Sequence, residues 1–189
     1  MVNLRYLFCF LVLAVGSSLA SEALKIEAVK EILEKEHDAT PLVDALKIYP
    51  KAKRYDFTVK VEFGDEVTEV NGKATEKWVG GKYLVSKMMA SGGEMFVQMV
   101  VEYDEASRTF RKYVVFDGKL VGYHVGTRIG KTRSISWIDV TEKKFAPDID
   151  DLLSIETHTD ESTTWRSIYF SKGAIHHTEE GVATVREKM

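Results

Sequence analysis

The sequence predicts a mainly β protein, a single antiparallel up-and-down β-barrel of about ten strands with an N-terminal helix. Three observations carry that prediction. From about Tyr55 to the C-terminus, apolar and polar residues alternate with period two, the signature of half-buried strands. Turn residues interrupt the alternation at spacings near the 8–12 residues expected of all-β domains. No helical pattern intervenes between strands, which argues against parallel βαβ units and the dinucleotide sites built on them. Many hairpins without a long crossover favour a meander that closes on itself and so removes its edges. A barrel of about this size has a lumen that side chains just fill, or that holds one small ligand.

The chain has 189 residues, a formal charge of −3, 44% hydrophobic and 11% aromatic residues. Those values exclude disordered, collagenous and disulfide-scaffold classes. The near-neutral balance, with basic residues interspersed among acids, excludes a dedicated nucleic-acid binder.

The elements follow in order. Residues 1–20 read as a signal peptide, with Arg5 before the apolar run Leu7–Val15 and a small-x-small site at Ser18-Leu19-Ala20, so cleavage is expected after Ala20. That apolar run is too short to span a bilayer, which takes about 20 residues. No comparable run follows, so the mature chain is expected to have no transmembrane segment and to be secreted or periplasmic. The single cysteine, Cys9, falls in this leader. Thiolate chemistry, disulfides and cysteine-ligated metals are therefore not expected in the mature chain.

Residues 21–50 form an N-terminal helical segment. Leu24, Ala28, Val29, Ile32 and Leu33 fall on one stripe of a helix over Ser21–His37, which the Asp38-Ala39-Thr40-Pro41 stretch stops. A further short helical turn is expected between Pro41 and Tyr49.

Residues 51–189 form the barrel domain. Its expected strands are Tyr55–Phe63, Gly72–Val79, Tyr83–Met89, Glu94–Tyr103, Thr109–Phe116, Leu120–Gly126, Thr132–Val140, Leu152–Thr159, Thr163–Phe170 and Ile175–Arg186. Gly80-Gly81, Asp117-Gly118 and Lys172-Gly173 mark hairpins, Asp117-Gly118 most strongly, because a two-residue turn needs positive φ at both positions. Glu142–Asp151 is the longest irregular stretch. It reads as a surface loop, with a lid over one barrel end as the alternative.

Several short patterns resemble an uncharacterised family of mainly bacterial, often secreted proteins with a lipocalin-like (calycin-like) barrel. They are Trp78-Val79-Gly80-Gly81-Lys82-Tyr83-Leu84, Tyr103-Asp104 followed by Phe110, Tyr113 and Phe116, and Gly122-Tyr123-His124-Val125-Gly126. Phe116-Asp117 stands where that family would carry Trp-Asp. The resemblance spans about Tyr55 to Arg186 and implies a fold, with no agreed activity attached.

Motifs for chemistry are sparse. There is no Gly-x-Ser-x-Gly elbow, phosphate-binding glycine loop, HExxH or EF-hand loop. His176 and His177 are adjacent in a strand and point to opposite faces. If Phe170 and Ile175 flank the last turn, His176 lies across from Tyr169. Arg133, Arg166, Glu76, Gln98 and Glu156 lie among aromatics and would need partners if buried. His124 sits between Gly122 and Gly126 on one face, where small residues leave room for another group. The expected function is a secreted barrel that binds or carries a small apolar or amphipathic molecule. The expected lining is Trp78, Phe96, Tyr113, Tyr123, His124, Trp137, Trp165, Arg166 and Tyr169. A filled barrel serving as an envelope interaction module is one alternative. An enzyme or haem-binding protein centred on His124 is the other. No cofactor or metal is otherwise expected.

Overall fold

The computed structural model describes residues 24–38, 40, 42–93, 96–141 and 149–188. The expected signal peptide, Cys9, most of the Glu142–Asp151 loop and the side chain of Phe96 lie outside the described residues. Ten antiparallel strands close into one barrel, each paired with its neighbours in sequence and the last with the first. They are β1 (Ala52–Phe63), β2 (Glu66–Val79), β3 (Tyr83–Ala90), β4 (Phe96–Asp104), β5 (Thr109–Phe116), β6 (Lys119–Arg128), β7 (Ser134–Asp139), β8 (Asp151–His158), β9 (Ser162–Ser171) and β10 (Ala174–Lys188). The expected hairpin turns have the expected geometry, with φ of +47° and +67° at Asp117-Gly118 and +51° and +78° at Lys172-Gly173.

Alternation decides what faces the lumen. On β5, Phe110, Lys112 and Val114 point in while Arg111, Tyr113 and Val115 point out; on β8, Leu152, Ser154, Glu156 and His158 point in. Two irregularities modify this. A bulge on β6 pairs Val115 with Leu120 and Val114 with Gly122, leaving Val121 as the extra residue. A second bulge at His176 pairs His177, not His176, with Tyr169. The sequence-based register is corrected by one residue there, because the inserted residue has no partner on β9.

The helix α1 (Ile26–Glu34) is shorter than its hydrophobic stripe suggests, since Lys25 and Lys35 have extended backbone. It lies on the barrel flank. Val29, Ile32 and Leu33 pack on the outward residues Val79, Val85, Val100, Tyr113 and Val115. Full burial of each such side chain is worth about 1.5–3 kcal/mol. The Lys77 ammonium donates to the Leu33 carbonyl at 2.9 Å, supplying a cation and a donor to the helix C-terminus.

One barrel end is plugged. A 3-10 helix (Asp44–Ile48) leads into β1 and inserts Leu46, Ile48 and Tyr49 between Trp78, Leu84, Val101, Phe110, Ile135 and Trp137. Arg133 ties the plug down: its Nε donates to the Ile48 carbonyl at 2.9 Å and its Nη1 meets Asp160 at 2.5 Å. No described helix is long and apolar enough to cross a membrane.

Candidate functional site

The lumen above the plug contains a cavity of about 440 Å³, within the range of small-molecule pockets. Its wall toward the β1–β2 hairpin is largely aliphatic: Val59, Val61, Val70, Met88, Val97, Met99 and Val114 all face it. Its floor, next to the plug, is polar and carries Tyr49, Tyr55, Glu76, Lys112 and Glu156.

Two carboxyl groups on that floor have different surroundings. Glu156 pairs with the Lys112 ammonium and lies 3.3 Å from His158 Nε2. Burial is the largest influence and pushes its carboxyl up, but the Lys112 and His158 charges together with hydrogen bonding outweigh it, so Glu156 titrates below the usual range. Lys112 in turn sits 4.2 Å above the Trp137 ring, a cation–π contact. Among the described residues Glu76 has no such cation. The Tyr55 hydroxyl donates to its Oε2 at 2.6 Å, and burial, with the Glu156 charge adding to it, pushes the Glu76 carboxyl up to about 8. The Tyr49 hydroxyl is buried beside them without a hydrogen-bond partner among the described residues.

His158 lies behind the floor, its ring 4.2 Å from that of Tyr49. Its Nδ1 is 3.0 Å from Thr163 Oγ1. Burial first, then the Lys112 and Arg133 charges, lower the imidazole to about 4 against the pull of Glu156. So weak a base takes few protons near neutrality, and its contact with Thr163 ties β8 to β9.

Higher in the lumen, Ser167 donates to Ser154 at 2.9 Å, and the Tyr169 hydroxyl donates to Glu179 at 3.0 Å. Burial raises the carboxyls of Glu179 and Asp139. His124 Nε2 is 3.9 Å from Asp139 Oδ1, and burial, reinforced by Lys112, lowers this imidazole to about 3. The same nitrogen lies 3.0 Å from where a Cβ on Gly122 would stand, so it is turned to the barrel wall. Axial ligation of a haem iron would require that ring to swing away from Gly122. No group of three or more metal-ligating side chains occurs among the described residues.

Of the residues expected to line the site, His124, Trp137, Trp165 and Tyr169 do. Trp78 points inward but is buried in the plug. Tyr113, Tyr123 and Arg166 do not face the lumen. Each alternates with an inward neighbour (Lys112, His124 and Trp165), and strand geometry sends adjacent side chains to opposite faces. Tyr113 and Tyr123 stack at 5.0 Å beside the flank helix, and Arg166 pairs outside with Glu180 at 3.0 Å. Glu76 and Glu156 were legible as buried charges needing partners. Lys112, Tyr49, Tyr55, Asp139 and Glu179 were missed, although Lys112 is detectable as the charge alternating with Phe110 and Val114.

A scan against protein-family models finds no match, and a sequence search of curated proteins finds none. Among solved structures the chain is similar to the crystal structure of Rv2717c from M. tuberculosis. The TM-score is 0.57 at 12% identity, over 77% of this chain and 99% of that one. At that identity the likeness is one of fold, a ten-stranded antiparallel β-barrel.

Proposed function

We propose that this protein binds and carries a small apolar or amphipathic molecule inside its barrel. One observation carries the reading: the lumen is open, with a cavity of about 440 Å³ whose aliphatic wall stands over a polar floor. Apolar walls supply burial and a few placed polar groups supply orientation, which is how small-ligand sites are generally built. The open lumen favours this reading over a filled barrel acting only as a structural module. Export through the leader at residues 1–20 belongs to the same proposal, and a mature N-terminus at Ser21 would support it.

Native mass spectrometry of the purified barrel, alone and mixed with a panel of medium-chain lipids and haem, tests the proposal. One adduct per chain, displaced by excess of a competing ligand, supports it. An unliganded mass throughout the panel contradicts it.

A further inference from the structure

We infer that the molecule carried is a cationic amphiphile, its ammonium or amidinium group seated on the barrel floor against Glu76 and its apolar body lying along the aliphatic wall. The inference rests on the reading of the barrel as a ligand-binding protein and narrows it to a chemical class.

Among the described residues, the lumen is lined by four acidic side chains, Glu76, Asp139, Glu156 and Glu179, and by Lys112 as its one lysine or arginine. Lys112 is engaged by Glu156 and by the Trp137 face. An anionic headgroup entering the lumen therefore finds its one cation taken and carboxyl groups around it. A cationic headgroup finds the reverse. Glu76 accepts a single hydrogen bond, from Tyr55, although a carboxylate offers about four lone-pair sites. No described cation reaches it.

A second, independent feature points to the same spot. The Tyr49 hydroxyl belongs to a cavity-lining residue only 4% exposed and has no hydrogen-bond partner among the described residues. A buried polar group left unmatched is costly, and a ligand N–H group placed between Tyr49 and Glu76 would satisfy it. The floor already accommodates one ammonium over an aromatic face, that of Lys112 over Trp137.

Glu76 is faced by Tyr49 from the plug, Tyr55 from β1 and Glu156 from β8, while Lys112 and His158 lie against Glu156. Burial raises both tyrosines and lowers His158, so those three stay neutral near pH 7, and Glu156 stays ionised. Seating a cation ionises Glu76 and releases its proton to solvent, so affinity for the cation rises with pH until Glu76 is already ionised in the free protein.

The test compares dodecylamine, dodecanol and dodecanoate, below their micelle concentrations, by quenching of tryptophan fluorescence. The amine is expected to bind at least about tenfold more tightly than the alcohol, with the carboxylate weakest. Glu76→Gln should remove the amine's advantage over the alcohol. Wild-type affinity for the amine should climb between about pH 6 and pH 8 while that for the alcohol stays level, which decides the matter even if the variant does not fold. Alcohol or carboxylate binding as tightly as the amine, or an advantage that survives Glu76→Gln, overturns the inference and leaves the carrier reading standing. Failure of all three to bind defeats the carrier reading itself.

Discussion

Trp165 lays its indole over Gly181, its cross-strand partner: a Cβ on Gly181 would stand 2.1 Å from Trp165 Cζ2. Trp137 covers Gly126 in the same way, at 2.5 Å, and Phe57 covers Gly72 at 2.5 Å. These rings lie along the barrel wall because the glycines beneath them have no side chain. Ring atoms thus occupy the space a Cβ would take, which keeps these aromatics close to the wall of the cavity they line.

Gly181→Ala should therefore destabilise the fold by about 1–3 kcal/mol, the usual cost of overpacking. In the Trp165→Val background the same substitution should cost less, because the clash is gone. Urea unfolding of the four proteins in this double-mutant cycle gives the coupling energy directly.

Lys112→Met should cost about 3–5 kcal/mol, because it strands Glu156 in the floor without its cation. Adding Glu156→Leu should recover most of that loss. The measurement is again the denaturation midpoint, and a single variant as stable as wild type would show that the pair contributes nothing.

Glu76 makes stability depend on pH with a definite sign. Its folded value of about 8 lies above the ordinary 4.5, so between those limits the folded state keeps a proton that the unfolded chain has lost. Stability from this group falls as pH rises through that window and levels above about 8. The slope approaches about 1.4 kcal/mol per pH unit. Glu76→Gln lacks the component, so the stability of wild type relative to the variant should decline from pH 5 to 8 in parallel thermal-unfolding series.

Tyr113→Phe should loosen the flank helix. The hydroxyl accepts the Leu24 N–H at 3.1 Å and donates to Glu102 at 2.9 Å, tying the start of α1 to the barrel. A loss of about 1–3 kcal/mol is expected. Faster amide hydrogen exchange over residues 24–34, with the barrel strands unchanged, distinguishes this local release from general destabilisation.

The barrel was legible because its determinants are local. Period-two alternation from Tyr55 onward and the turns at Asp117-Gly118 and Lys172-Gly173 fix strands and hairpins without any knowledge of partners. The facing of individual residues was harder. Tyr113 and Val115 point outward under a helix that covers that flank, so both faces of β5 carry apolar residues and hydrophobicity does not mark the lumenal one. Lys112 points inward as a charge for the complementary reason that Glu156, 44 positions later, pairs with it. The bulge at His176 shifts register without a glycine or proline to announce it. Such features depend on contacts between distant strands, which periodicity within one strand does not encode.

The central claim, an open lumen that takes a small apolar or amphipathic molecule, is tested most directly by blocking it. Met88 faces the cavity, and Met88→Trp would fill part of its volume without touching the charged floor. Titration of both proteins with dodecylamine, followed by isothermal calorimetry, should show one site per chain in wild type and at least about tenfold weaker binding in the folded variant. Absence of binding to wild type, or equal binding to Met88→Trp, would contradict the account.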